Sequence, residues 1–125
     1  MTYTRTLIRA AVVAAGATLL PSAASAQSAP PPQFAMCKVC HKTTDKAPSA
    51  IGPTLWRVGG RKAGTLPGYA YSPAMKQSDL VWDRKTLMAF LAKPRTVVPG
   101  TKMAYAGTSD PKAAAALADY LLGLK

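Results

Sequence analysis

Cys37-Lys38-Val39-Cys40-His41 decides the chemistry of this chain, because it holds both cysteines and the only histidine of the sequence. On a helix, thiols at i and i+3 share a face, and an imidazole at i+4 lies nearly above the first of them. That geometry lets two thioether bonds form to the vinyl edge of a haem while the imidazole binds the iron from one side. The spacing C-x-x-C-H is that of c-type haem attachment. Three plainer chemistries compete with it. A thioredoxin-like thiol pair belongs on a βαβ framework, of which the sequence shows no sign. A structural zinc site needs four ligands, and two cysteines with one histidine fall short. A disulfide across so short a span closes hardly any loop and would stabilise little.

The upstream sequence favours the haem. Arg5 and Arg9 make a positive start, residues 10–20 are a short apolar run, and Ala24-Ser25-Ala26 offers a small-residue cleavage site before Gln27. That is the pattern of a secretory signal peptide over residues 1–26, and the apolar run is too short to span a bilayer. Residues 27–33 read as a stiff, proline-rich leader, and residues 34–125 as one small domain. The 125 residues carry 16 Lys+Arg against 5 Asp+Glu, a formal charge of +11, with 11 prolines and 9 glycines. Few large aliphatics with so much charge would ordinarily mean disorder, but the tyrosines and tryptophans beyond residue 34 argue for a packed domain. A core this thin needs a staple, and a large flat apolar haem supplies one. The composition excludes a transmembrane protein, a multidomain enzyme and a large active-site scaffold.

The periodic segments are all helical. Phe34–His41 fits about two turns, with Pro32 tolerable at the start. Residues 42–71 show only turn signals, among them Pro48, Gly52-Pro53, Gly59-Gly60 and Pro67-Gly68, so loops are expected there. Ser72-Pro73 opens a short helix near Ala74–Gln77. Asp83 caps a helix with Leu87, Met88, Phe90 and Leu91 on its inner face, ended by Pro94. Asp110-Pro111 opens the last helix, where Leu117, Tyr120, Leu121 and Leu124 recur at helical spacing and Gly123 sits near the end. The fold class is all-α, small and loop-rich.

With no second histidine, a sixth iron ligand would be a methionine. Met36 adjoins an attachment cysteine and reaches the far face poorly. Met88 sits on an inner helical face, where methionine is usually core, and Met75 follows a helix start and stays open. Met103 lies in Pro99-Gly100-Thr101-Lys102-Met103, a loop shaped to present a side chain to a fixed point. It is the candidate.

The chain resembles the class I c-type cytochromes of the mitochondrial and bacterial cytochrome c2 kind, from about Phe34 to Leu122. The likeness rests on Phe34-Ala-Met-Cys-Lys-Val-Cys-His41, Gly52-Pro53-x-Leu55, Gly60-Arg61-Lys62-Ala63-Gly64, Gly68-Tyr69-Ala70-Tyr71-Ser72, Trp82, Leu87-Met88-x-Phe90-Leu91, Pro94, Pro99-Gly-Thr-Lys-Met103, Gly107 and Tyr120-Leu121. The resemblance implies a cytochrome c fold around one haem c attached at Cys37 and Cys40. It makes His41 the proximal and Met103 the distal ligand, with the Pro53 carbonyl fixing the imidazole. Tyr71 and Trp82 would hydrogen-bond a haem propionate, Arg61 would offset its charge, and Thr101 completes the cofactor-binding set. Tyr105 would shield the haem edge. The chain also departs from the pattern: Pro30-Pro31-Pro32 shortens the N-terminal helix, while Phe90 and Met75 stand where relatives often have tyrosine and a polar residue.

The implied function is a periplasmic one-electron carrier and not an enzyme. Lys38, Lys93, Arg95 and Lys102 would steer it onto acidic docking faces of redox proteins: a cytochrome bc1-type reductase, a terminal oxidase or reaction centre, or a dehydrogenase. A monomer is expected, with no nucleic acid partner and at most weak contact with a membrane surface. Two other classes stand beside this one. A haem-based peroxidase or gas sensor would have a labile Met103, and a periplasmic thiol oxidoreductase would use Cys37 and Cys40.

Overall fold

The computed structural model describes residues 27–45 and 51–125. The signal peptide expected over residues 1–26 lies outside the described residues, as does Pro48. Among the described residues five helices follow in order: α1 (Phe34–Cys37), α2 (Pro73–Gln77), α3 (Arg84–Ala92), α4 (Pro94–Val97) and α5 (Pro111–Leu122). Among the described residues the β-pairing amounts to one isolated bridge, Lys62 with Val81. The architecture is the all-α, loop-rich one expected, and no helix of the described residues is long and apolar enough to cross a membrane.

α1 is shorter than its sequence suggested. Regular helix stops at Cys37, and a tight turn takes over in which the backbone N–H groups of Cys40 and His41 donate to the Cys37 carbonyl at 3.1 and 2.9 Å. Its N-cap, Gln33, makes no side-chain cap bond, and one uncapped turn has little to propagate from. Tertiary contact holds it instead. The Phe34 ring is fully buried, 4.7 Å from that of Tyr120 and inclined at 62° to it, an edge-to-face geometry that adds to simple area burial.

The other helices start where their caps dictate. Ser72 Oγ accepts from the Met75 N–H at 3.2 Å, with Pro73 at the first position of α2. Asp83 and Thr86 form a reciprocal capping box on α3: the Thr86 N–H donates to the Asp83 carboxylate at 2.7 Å, and the Asp83 N–H to the Thr86 hydroxyl at 2.9 Å. The Asp110 carboxylate accepts from the Lys112 N–H at 2.9 Å to open α5. Pro94 ends α3, as expected, but it also begins α4, which the sequence did not announce. Proline has no N–H to leave unpaired in a first turn, so one residue serves as stop and start.

α3 and α5 pack face to face. Leu87, Phe90 and Leu91 are buried, as are Leu117, Tyr120, Leu121 and Leu124. Met88, expected on the inner face, is only partly buried and takes the Arg84 guanidinium at its sulfur, 3.3 Å away. That guanidinium also grips Asp119 of α5 with two bonds, at 2.7 and 3.1 Å. The loop after residue 51 is stitched to the rest by backbone bonds. The Leu55 N–H donates to Lys42 O, Arg57 to Leu124 O, Gly60 to Trp82 O and Ala63 to Leu80 O, all at 2.8–2.9 Å. A loop without regular structure thus finds partners for its backbone and becomes a rigid wall.

Candidate functional site

Several core side chains are buried from solvent yet face a hollow. Val58, Trp82, Leu87, Phe90, Leu91 and Leu121 line a cavity of about 500 Å³, within the ~300–1,000 Å³ range of cofactor sites. The remaining walls come from the Cys37–His41 turn, the loop that follows residue 51, α2, and residues 101–105. All nine residues expected from the sequence to bind the cofactor or its iron line this one cavity: Cys37, Cys40, His41, Pro53, Arg61, Tyr71, Trp82, Thr101 and Met103. Tyr105, Phe90 and Met75 line it too.

The placement of His41 follows from two neighbours. Its Nδ1–H donates to the Pro53 carbonyl at 2.7 Å, which fixes the tautomer and leaves Nε2 with the lone pair. Gly52 lies so close to the ring that a Cβ there would sit 2.9 Å from Cε1, from Nδ1 and from the Cys40 carbonyl oxygen. Burial pushes the imidazole pKa below its usual value, against the opposing pull of the Pro53 bond. A neutral ring with Nε2 unprotonated is the form that binds a metal. Burial also raises the Cys37 thiol above its ordinary range, with a lesser contribution from Cys40, and no disulfide joins the two.

Met103 is presented by the turn Val98-Pro99-Gly100-Thr101. The Thr101 N–H closes it onto Val98 O at 3.0 Å, and Gly100 takes a φ of +90°, the left-handed position that a type II turn with proline at its first corner requires. The Thr101 hydroxyl then accepts from the Met103 N–H at 3.3 Å. Elsewhere, the Trp82 and Phe90 rings are 5.1 Å apart at 57°. The Arg61 guanidinium donates to Thr54 O at 2.9 Å and Trp56 O at 3.3 Å, so its position is set by the loop backbone. Burial lowers the Arg61 pKa and raises that of Tyr71, and each charge opposes the other's shift. The two groups are therefore electrostatic neighbours.

Sequence reasoning passed over Tyr69 and Lys102 as cavity residues, although both line it. They sit in irregular loops, where no period betrays which side chain faces inward.

The cavity fits a haem. Two thiols, an imidazole with its distal nitrogen available and a thioether share an apolar hollow, and the wall beside His41 closes to the distance only glycine permits. Cytochrome c2 iso-2 of Magnetospirillum fulvum is 46% identical over 94 residues, covering 75% of this chain and 97% of that one. The chain belongs to the cytochrome c2 family. Cytochrome c2 iso-2 of Magnetospirillum molischianum is 43% identical over 95 residues, 76% of this chain and 97% of that one. Among solved structures, cytochrome cH from Methylobacterium extorquens superposes with a TM-score of 0.64 at 47% identity, covering 70% of this chain and 88% of that one. No family model matches the chain. As a cytochrome c2, the protein carries covalent haem c on the Cys37/Cys40 pair and is an electron carrier, not an enzyme. Cytochromes c2 are periplasmic.

Proposed function

We propose that this cytochrome is a one-electron carrier whose haem iron is held between His41 Nε2 and the Met103 sulfur, passing electrons between periplasmic redox proteins. The observation that carries this is the meeting of Cys37, Cys40, His41 and Met103 on one apolar cavity. The bound haem supplies the one-electron iron couple. The Pro53 carbonyl holds the imidazole in one orientation, and the Thr101 turn delivers a thioether, which favours the reduced state and a comparatively high potential. With His41 and Met103 both holding the iron, no position would be left for a substrate. Trp82, Leu87, Phe90 and Leu91 keep water away, so little rearranges when an electron arrives. Tyr71 and Trp82 would donate to a haem propionate, and Arg61, anchored on Thr54 and Trp56, would balance its charge.

Lys38, Lys93, Arg95 and Lys102 steer docking onto acidic faces of a bc1-type reductase, an oxidase or reaction centre, or a dehydrogenase. In support, Lys93 and Arg95 line a second hollow of about 290 Å³ whose wall shares Ala104 with the haem cavity. Residues 1–26 direct export and are cut after Ala26, leaving residues 27–33 as a leader and 34–125 as the monomeric haem domain. Carbon monoxide added to the reduced protein at neutral pH tests the assignment. A carrier with Met103 in place leaves the spectrum unchanged over minutes, whereas rapid formation of a carbonyl adduct identifies a gas-sensing or peroxidatic site with a labile methionine.

A further inference from the structure

Three backbone carbonyls of the short turn after Gly52 serve the haem site. Pro53 O takes the His41 Nδ1–H at 2.7 Å, while Thr54 O and Trp56 O take the Arg61 guanidinium at 2.9 and 3.3 Å. A turn without helix or strand around it needs something to hold those carbonyls in place. We propose that the Thr54 hydroxyl does so, making Thr54 a positioning residue that fixes Arg61 at the haem cavity and thereby sets the midpoint potential, a role that rests on Arg61 balancing a haem propionate as proposed above.

Thr54 is buried, and its hydroxyl is bonded on both sides. It donates to the Thr44 carbonyl at 2.6 Å. The Lys42 carbonyl, which already takes the Leu55 N–H, lies farther off at 3.3 Å. The hydroxyl oxygen accepts from the Trp56 N–H at 3.2 Å, the two-residue turn that threonine can close on its own backbone. The donated bond pins the turn to the segment just after His41. The accepted bond sets the spacing of residues 54 and 56, whose carbonyls grip the guanidinium. Arginine offers a planar fork of donors, and the fork is held only while both acceptors keep their separation. Arg61 lines the cavity, so the path runs from Thr44 through Thr54 and Trp56 to Arg61 and the haem.

Removing the hydroxyl takes that partner from the Trp56 N–H and from the Thr44 carbonyl, and each loses a bond that held the turn closed. The two carbonyls then drift apart, and the guanidinium, its charge unchanged, moves toward solvent. A positive charge farther from the haem favours the reduced state less. The potential should therefore fall although no charge has been removed.

Redox titration of the holoprotein reads this out. Thr54→Val keeps the shape of the side chain and removes the hydroxyl; its midpoint potential should fall, by no more than that of Arg61→Gln. In the Arg61→Gln background, Thr54→Val should cause no further fall, since the group it positions is gone. Thr54→Ser keeps the hydroxyl and should restore the parent potential. Should Thr54→Val yield too little holoprotein, Thr54→Ala removes the hydroxyl without setting a methyl group against the Thr44 carbonyl and should show the same fall. A parent potential in these variants beside a lowered one in Arg61→Gln overturns the role of Thr54 alone, as does a Thr54→Val shift that persists in the Arg61→Gln background. An unchanged potential in Arg61→Gln overturns the charge-balancing role of Arg61 and the role of Thr54 together.

Discussion

Replacing Gly52 by alanine places a methyl group where the backbone meets the His41 ring. The added Cβ would lie 2.9 Å from His41 Cε1, from Nδ1 and from the Cys40 carbonyl oxygen, whereas ordinary contact begins near 3.4 Å. The neighbours must therefore retreat by about half an ångström, and neither is a flexible side-chain end: one is backbone, the other a ring fixed by its own partners. The Nδ1–Pro53 bond, 2.7 Å long, is what that retreat stretches. Overpacking costs about 1–3 kcal/mol and loss of the hydrogen bond about 1 kcal/mol, so the variant should be about 2–4 kcal/mol less stable. Guanidinium unfolding of the two holoproteins, compared at equal slope, measures the loss. An imidazole that no longer donates to Pro53 is also a weaker electron donor, so the midpoint potential should rise. A Gly52→Ala protein within about 0.5 kcal/mol of its parent, with an unchanged potential, would show that the wall beside His41 has slack and that Gly52 does not position the ligand.

Phe34 is the single buried anchor of α1 and fully enclosed; Phe34→Ala should cost about 3–5 kcal/mol in the same unfolding assay, against almost nothing for the exposed neighbour Gln33→Ala, whose side chain makes no cap bond. The Thr86 backbone N–H, helped by its hydroxyl, holds the Asp83 carboxyl below its ordinary value of 3.8. A depressed folded pKa contributes stability above the unfolded value and loses it as pH falls through the folded one. Asp83→Asn should therefore flatten the decline of stability below about pH 4, seen in a series of thermal melts at falling pH. If Arg61 balances a haem propionate as proposed, Arg61→Gln should favour the oxidised state and lower the midpoint potential in a redox titration.

Much of this site was legible because its chemistry is carried by rare residues at fixed spacing. One histidine and two cysteines in five positions admit few readings, and the turn that presents Met103 is written in Pro99-Gly100, whose φ of +90° is the one glycine supplies without strain. Helix starts were equally plain, since Ser72, Asp83 and Asp110 each cap through a side chain. What the sequence hid depends on tertiary contact. α1 stops at Cys37 because its stability comes from Phe34 against Tyr120 and not from helix propensity, and no local signal reports that. α4 is one turn long, below any detectable period. The anchoring of Arg61 on Thr54 and Trp56, and of Thr54 on Thr44, joins loops whose inward faces have no periodicity at all.

The absorption spectrum of the protein matured with its haem, recorded reduced and ferric beside a Met103→Ala variant, tests the His41/Met103 carrier most directly. The expected result is a sharp reduced α-band and a weak ferric far-red band of iron–methionine bonding, the latter lost in Met103→Ala. Covalent haem whose far-red band is absent, or survives Met103→Ala, would contradict the assigned ligation, and protein without covalent haem would contradict the carrier itself.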